Sequence, residues 1–315
     1  MLTRRRVVAA KVESTEGTGV TLAAADGGIL AIDPKFEADI TPHPRPQIGA
    51  SMSPYADLLG GRQAKMTFGV ELIGAGTAYS GSNVPEVGKY LRACGFSETI
   101  VTTPGAETVT YAPLSTGMPA LTMGLYEDGL YKRVVGARGN VKFSSKVGEA
   151  VIANFEFTGV LDTITDIALI TPTYEDTLPS VLLAATFTVG GYAAIIQGFD
   201  IDMGNAIQLR EDINKAAGFI SAQITGRRPT GKIDPEAVLV ATHDWYGRWL
   251  AGTLGVLTIG PLGSTQYKKV KLSAPAAQYT KVADADRGGI AIADTSFLLT
   301  RSAAAGEDEL SILFD

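Results

Sequence analysis

Short runs of alternating apolar and polar residues recur along the chain. The clearest lies between residues 151 and 160, where every second side chain is apolar and falls on one face of a strand: Val151, Ala153, Phe155 and Phe157. Similar composition predicts further strands at residues 67–74, 107–111, 120–126, 130–135 and 140–144. One segment has the apolar spacing of a short helix instead: Val87, Tyr90, Leu91 and Cys94. This half of the chain therefore predicts a β-rich unit with one short helix.

The same order of features returns in the second half. Residues 219–226 resemble the strand ending in glycine at 67–74, and residues 247–250 resemble the helical residues 88–91. Farther on, two more segments match in the same order: 267–270 with 131–134, and 290–298 with 151–157. These landmarks indicate a duplication with a period of about 150 residues, which is too long for a solenoid repeat. Each copy is therefore expected to be a domain with its own core.

Proline and glycine positions suggest the boundaries of these units. Residues 1–59 are expected to form an extended N-terminal arm that lies against another surface, because several prolines keep it out of helix. We expect three further segments: a first domain at 60–161, a connector at 162–184 and a second domain at 185–315. The uncharged stretch 177–199 contains Pro179 and several glycines, so it predicts a buried strand rather than a membrane span.

Composition supports a packed protein rich in strands and turns. The 315 residues are 45% hydrophobic and 19% charged, and they include 36 glycines and 15 prolines. The net charge of −6 argues against tight nucleic-acid binding, but it suits a wall past which DNA slides. Cys94 is the only cysteine, which excludes an intrachain disulfide and fits a reducing cytoplasm.

Two segments carry partial ligand-binding motifs. Gly226–Lys232 has the spacing of a phosphate-binding loop, but Ile233 stands where a hydroxyl would hold magnesium, and no helix follows directly. Asp284–Gly288 begins like a calcium loop but lacks the later oxygen ligands. We therefore interpret both segments as turns between strands.

The remaining polar and aromatic residues do not combine into a catalytic site. Asp200 and Asp202 alternate with apolar residues, which fits the solvated face of a strand better than an acid–base pair. Cys94 has no histidine at a suggestive spacing, and neither histidine has a second metal ligand at helical spacing: His43 and His243. The tryptophans are interpreted as packing residues of the second helix: Trp245 and Trp249. The sequence thus predicts no catalytic residue, no metal site and no cofactor.

The N-terminal sequence carries a family resemblance. Its residues 11–18 have the pattern Lys-x-Glu-x-x-x-Gly-Thr, formed by Lys11, Glu13, Gly17 and Thr18. They resemble the start of tail tube proteins of non-contractile, long-tailed bacteriophages. The body of the chain is similar too, with a strand, a short helix and a β-meander ending in a pattern such as Asn154–Gly159. The resemblance is to the two-domain type of the family. It implies a mainly β fold of two tandem β-sandwich or half-barrel domains, each with one short helix.

The resemblance also implies a structural role in the phage tail. Single-domain members form hexameric rings whose β-barrel lines a channel, so a two-domain member is expected to close a ring with three subunits. Such rings stack head to tail, and we expect the arm with Arg4–Arg6 and the connector to contact other subunits. The implied partners are further copies of the chain, tail proteins such as the tape measure and terminator, and phage DNA passing without specific binding. No membrane partner is expected, and synthesis in the host bacterial cytoplasm is implied.

Other functions remain open at this level. A minor tail protein, a tail terminator or a capsid-decorating protein would use similar β domains, and copy number in the virion would distinguish them from a tube subunit. A cell-surface or carbohydrate-binding β protein would expose clustered aromatic residues on loops. An enzyme is not expected.

Overall fold

The computed structural model describes residue 2 and residues 4–315. The mainly β fold predicted from the sequence is confirmed. The first half contains β1 (Arg6–Val12), β2 (Ile32–His43), β3 (Leu58–Glu71), α1 (Gly88–Ala93), β4 (Phe96–Val101), β5 (Thr108–Pro113), β6 (Leu121–Glu127), β7 (Leu130–Lys146) and β8 (Ile152–Asp166). The second half contains β9 (Phe187–Val189), β10 (Gly198–Asp202), β11 (Asn205–Glu211), β12 (Phe219–Arg227), β13 (Thr230–Ile233), α2 (Trp245–Leu250), β14 (Leu254–Leu262), β15 (Val270–Arg287), β16 (Ile290–Leu299) and β17 (Ser311–Phe314).

The order in which strands pair is the same in the two halves. In the first half it is β1-β6-β7-β8-β3-β2, and in the second it is β9-β14-β15-β16-β13-β10, with every neighbouring pair antiparallel. When the six strands of each set are counted along the chain, the helix of that half follows the third strand and precedes the fourth. The division of the chain into an arm, two domains and a connector stays a prediction.

One strand pair joins the two sets into a continuous sheet. The end of β7 pairs with β10, so that Phe143 lies opposite Ile201 and Lys142 opposite Asp202. Five further strands complete the fold. β11 and β12, which lie between β10 and β13 in the chain, form a separate two-stranded sheet. β17, β5 and β4 extend the large sheet from β15. The strand order of the long sheet thus begins at β2, passes through β15 and ends at β4.

Buried residues of both halves form one hydrophobic cluster behind this sheet. In the first half Tyr90 of α1 packs against Phe68, Phe155 and Phe157, with ring centroids 5.3 to 6.1 Å apart. In the second half Trp245 of α2 lies 5.6 Å from Tyr279. Each helix therefore fixes one large aromatic ring against the strands of its own half, and such rings supply a large share of the buried apolar area.

Most of the predicted elements are present with shifted ends. The two strands expected at 130–135 and 140–144 are one long strand, β7, and the predicted helix face is buried: Val87, Tyr90, Leu91 and Cys94. One landmark match is wrong. Residues 219–226 lie in β12, which pairs with β11 outside the large sheet, and β13 holds the position that corresponds to β3.

The N-terminal segment begins with a strand that belongs to the large sheet. β1 pairs with β6 of its own chain, and four of its residues are buried: Val7, Val8, Ala9 and Ala10. A run that is apolar on both faces is typical of an interior strand. β2 in turn pairs with β3. Residues 44–57 between them have no regular structure and are exposed.

The uncharged stretch 177–199, which we predicted as a buried strand, forms only a short strand in its middle. Only Phe187–Val189 pairs in the middle of it, as β9, because Gly190 and Gly191 take positive φ angles of 56° and 81° and turn the chain back. Side chains with a Cβ atom rarely adopt such angles. None of the helices in the described part of the chain is long and apolar enough to cross a membrane.

Candidate assembly and channel surfaces

The family-like motif at the N-terminus forms a buried hydrogen-bond cluster. The carboxylate of Glu13 accepts bonds from the backbone N–H groups of Gly17 and Gly136, both at 2.7 Å, and from the hydroxyl of Thr122 at 2.9 Å. Gly17 has a φ of +71°, and a Cβ atom on it would lie 2.3 Å from the carbonyl oxygen of Ile220. The motif therefore joins β1 to β6, β7 and β12, which is a structural role.

A second cluster holds the β11–β12 hairpin in place. Arg138, almost fully buried, contacts both carboxylate oxygens of Glu16 at 3.2 and 3.3 Å and donates to the carbonyl of Ala222 on β12 at 2.6 Å. Ser221 and Gln223 also bond to Glu16. Burial by itself raises the pKa of Glu16, but the bonds from Arg138 and Ser221 outweigh it and hold this pKa below its usual value.

The side of the large sheet opposite the core is polar. We call it the polar face, and its charged residues in β3, β8, β7, β10, β13 and β16 include Lys65, Glu156, Lys142, Asp200, Asp202, Lys232 and Asp294. Lysines and carboxylates form ion pairs there, from Lys142 to Asp202 at 2.8 Å, Lys232 to Asp294 at 3.0 Å and Lys65 to Glu156 at 3.5 Å.

Asp200 and Asp202 lie on this face as predicted, while Phe199, Ile201 and Met203 point into the core. Burial is the largest influence on Asp200 and raises its pKa. Burial acts in the same direction on Asp202, but bonds from Asn140 and Lys142 bring its pKa below the usual value. Asp202 is part of the ion-pair pattern of the sheet, and Asp200 lies on the same face opposite Lys232 in the strand register.

The large sheet has one free edge on β2 and another along the second half of β15. β2 pairs only with β3. β15 pairs with β14 and β17 through its first half, but beyond Tyr279 it has only β16 beside it. Charged residues lie along these edges: Lys35, Glu37 and Asp39 on β2, and Lys281, Asp284 and Asp286 on β15. Unpaired edges offer backbone N–H and C=O groups to another strand.

The two ends of the strands carry exposed apolar side chains. One end, the loop end, consists of residues 44–57 and the hairpin tip 212–218, and it exposes Ile48, Met52 and Ile213 completely. The opposite end, the turn end, consists of residues 147–151 and 181–197. It contains an apolar groove of about 370 Å³ whose lining includes Val147, Leu183, Phe187 and Ile195. Exposed apolar clusters of this kind mark interaction surfaces.

The loops with partial ligand motifs are turns between strands, as the sequence indicates. Residues 228–229 connect β12 to β13, and Gly288-Gly289 connect β15 to β16. Arg287 there bonds to Asp234 at 2.8 Å and to Glu236 at 3.0 Å, so these charges satisfy one another. Across the described residues, no cluster of three or more histidine, cysteine or acidic residues could hold a metal ion.

Of the histidine, cysteine and tryptophan residues, His243, Trp245 and Cys94 are buried, and His43 is exposed. His243 is buried between Tyr192 and Trp245, and its Nε2 atom lies 3.2 Å from the hydroxyl of Tyr279. Burial, followed by the charge of Arg248, lowers the pKa of His243. His43 is exposed on β2, and Cys94 is buried after α1, where burial raises its thiol pKa. Asp244 caps α2 by accepting from the N–H of Gly247 at 2.7 Å.

These surfaces define a structural β protein whose charged edges, polar face and apolar ends are suited to contacts with other chains. Comparison with family models gives the same class. The model described as phage tail tube protein matches residues 3–302, so the chain belongs to the phage tail tube protein family, whose members are structural components of the virion tail. No curated protein matches the chain.

Proposed function

We propose that this protein is the major subunit of a phage tail tube, that three copies close a ring, and that stacked rings form the channel for DNA. The observation that supports this proposal is the pairing of β7 with β10. It links the two sets of strands through backbone bonds, and the same pairing is available between β15 of one subunit and β2 of the next. Other tail proteins, including a tape measure and a terminator, complete the list of proposed partners.

The correspondence between the two junctions is close. β7 pairs through its first half with β6 and through its second half with β10. β15 likewise pairs through its first half with β14, and its second half, from residue 281 to 287, has a free edge. In the repeated order β2 corresponds to β10, and its outer edge is free as well. Joining β15 to β2 therefore extends the sheet without changing its pattern, and in a closed ring both of these edges are paired.

Stacking uses the other two surfaces. The loop end and the turn end lie at opposite ends of the same strands, because residues 44–57 precede β3 and residues 147–151 follow the end of β7. A translation along the strands brings exposed Ile48 and Met52 toward the apolar groove of the next ring. Such a heterologous contact does not close on itself, so it propagates a filament.

Hydrogen exchange of free protein and assembled tubes tests the ring. Backbone N–H groups of β2 and of residues 281–287 should gain protection on assembly, because they receive new strand partners. The matched control is the β10–β13 region, which is already paired in the monomer. Electron microscopy should show tubes with a central hole, and mass measurement of released rings should give three chains. Unchanged exchange at both edges in assembled tubes would rule out the proposed junction.

Copy number in the virion tests the specific role. A major tube subunit is present in every ring along the tail, whereas a terminator or minor tail protein is present in few copies. Quantitative mass spectrometry of purified particles distinguishes these cases.

A further inference from the structure

The repeated strand order allows the two halves to be aligned residue by residue. In the first half Met66 lies opposite Phe157, and in the second half Gly231 lies opposite Phe297. Six residues beyond each of these pairs, a backbone hydrogen bond joins the same two segments at the turn end: Leu72 to Val151 at 2.8 Å, and Ala237 to Ala291 at 2.9 Å. Both halves therefore end their pairing at the same level, which supports the alignment of Phe157 with Phe297.

This alignment transfers the register of the internal junction to the two free edges. At the internal junction Ile201 of β10 lies opposite Phe143 of β7. On β2, Phe36 holds the position of Ile201, because their partners on the next strand are the aligned residues Met66 and Gly231. On β15, Asp284 holds the position of Phe143, because their partners each lie four residues before the aligned phenylalanines: Ala293 and Ala153. The repeat therefore places Phe36 of one subunit opposite Asp284 of the next.

In this register an aspartate and a lysine lie opposite each other across the subunit junction. Antiparallel counting from Phe36 and Asp284 brings Asp39 opposite Lys281. Both side chains are exposed, and both alternate with residues that face the core, so they point to the same side of the sheet. Lys281 has no carboxylate within ion-pair distance among the described residues, and Asp39 accepts a hydrogen bond from Gln63 at 2.7 Å. Each therefore has a charge that the free subunit leaves without an opposite partner.

The neighbouring registers are less favourable. A shift of β2 by two residues toward the β15–β16 turn would place Lys35 opposite Arg287, and like charges directly opposite each other destabilise a strand pair. A shift by two residues the other way would bring Asp39 alongside Tyr279. The next residue of β15, Gln278, is already paired with Leu254 of β14, so the edge is occupied there. Charge and the length of the free edge therefore favour the register that the repeat predicts.

We propose that β2 of one subunit pairs with β15 of the next in this single register, and that Asp39 and Lys281 form an ion pair across the junction. The inference rests on the proposed function for the existence of the junction, and it adds the register and the two residues that make each edge selective for a second copy of this chain. The ion pair is not a copy of the internal one. There Lys142 pairs with Asp202 at 2.8 Å, and the aligned residues at the subunit junction are Ala283 and Glu37. The charge pair is thus displaced by two residues along the edge.

Engineered disulfides test the register in assembled tubes. The variant Glu37→Cys, Ala283→Cys places two thiols opposite each other. The corresponding internal pair is of the non-hydrogen-bonded kind, because the N–H of Met203 donates to the carbonyl of Val141 at 3.1 Å beside it. The Cα atoms of such pairs are about 4.5 Å apart, which a disulfide can span. Oxidised tubes should give linked species up to a trimer in non-reducing electrophoresis. The native Cys94 is buried and does not compete.

Two matched controls report the neighbouring registers. They are Lys35→Cys, Ala283→Cys and Glu37→Cys, Ala285→Cys, and neither changes Asp39 or Lys281. In the proposed register their thiols are diagonal neighbours about 7–8 Å apart, so they should stay unlinked. Linkage in a control but not in the first variant would overturn the register while leaving the β15–β2 junction intact. Tubes that form without linkage in any of the three variants would overturn the junction as well.

Charge reversal tests the ion pair without any cysteine. Asp39→Lys and Lys281→Asp each place like charges opposite each other at every junction, and each should melt like the wild type because both residues are exposed. Each should raise the protein concentration needed for half-maximal assembly, measured by light scattering, by about three- to tenfold. The combined variant Asp39→Lys, Lys281→Asp restores opposite charges and should assemble at a concentration close to that of the wild type. A combined variant as impaired as either single one would overturn the ion pair.

Discussion

The substitution Glu13→Gln tests whether the family-like motif acts through the buried carboxylate cluster. Glutamine has almost the shape of glutamate, but one of its oxygens is replaced by an NH2 group. In the native cluster one carboxylate oxygen accepts from Gly136 and Thr122, and the other accepts from Gly17. With glutamine, whichever orientation the amide takes, its NH2 group faces at least one donor.

The loss of folding stability follows from the number of hydrogen bonds that the substitution changes. The favourable orientation keeps the oxygen toward Gly136 and Thr122 and leaves the N–H of Gly17 facing a donor. An unsatisfied buried donor costs about 1–3 kcal/mol, and loss of the charge weakens the other two bonds by about 1 kcal/mol in total. We therefore expect destabilisation by about 2–4 kcal/mol. For a chain of this length the unfolding entropy converts that value into a decrease in Tm of about 3–6 °C.

The assay is thermal and urea unfolding of the free protein, followed by circular dichroism and by intrinsic fluorescence. Glu37→Gln is the matched control, because Glu37 is exposed and has no side-chain hydrogen bond or ion pair among the described residues. Its midpoint should stay within about 0.5 kcal/mol of the wild type. If Glu13→Gln is no less stable than Glu37→Gln, the carboxylate cluster does not hold the N-terminal segment.

Further predictions concern stacking, pH and backbone geometry. The double variant Ile48→Asp, Met52→Asp should melt like the wild type, because both side chains are fully exposed, but electron microscopy should show few or no tubes; abundant normal tubes would contradict the stacking contact. Asp202→Asn should lower stability by about 1 kcal/mol at neutral pH. This difference in stability should vanish at low pH. A carboxyl group whose pKa is lowered by folding stabilises the fold above its unfolded pKa of about 4, and this contribution is lost as the pH falls through the folded pKa. Urea titrations at a series of pH values measure the difference. Gly17→Ala should reduce the unfolding midpoint at all pH values, because both its positive φ and the close carbonyl of Ile220 oppose a Cβ atom.

Local patterns in the sequence were sufficient to predict the elements that are amphipathic. Phe155 and Phe157 alternate with polar residues, and the structure buries them while their neighbours Asn154 and Glu156 lie on the polar face. The spacing of Tyr90 and Leu91 similarly predicts the buried side of α1. In these segments one face is apolar and the other polar, so the period alone defines the inner face.

Pairing between distant strands could not be predicted in the same way. The strand 219–226 has the composition of β3, yet it lies outside the large sheet, because Arg138 and Glu16 from distant parts of the chain bond to it. Four-residue β13 carries too short a pattern to be recognised. The family-like motif did include Glu13 and Gly17, but their partners Gly136 and Ile220 are remote in sequence, so the cluster was not apparent. The polar face likewise depends on register, which places Lys142 opposite Asp202.

The two free edges suggest how assembly can be delayed until it is required. β2 and the end of β15 carry charged residues, and charge on an edge strand disfavours unspecific pairing with other sheets. The internal junction shows how such charges are accommodated in the correct partner, since Lys142 of β7 pairs with Asp202 of β10. In the proposed ring, Lys281 on one edge approaches a strand that carries Glu37 and Asp39. Because the β7–β10 junction is intramolecular and the proposed β15–β2 junction is not, only the proposed junction would depend on protein concentration. On this proposal, ring closure and not the folding of the sheet is the step at which assembly is controlled.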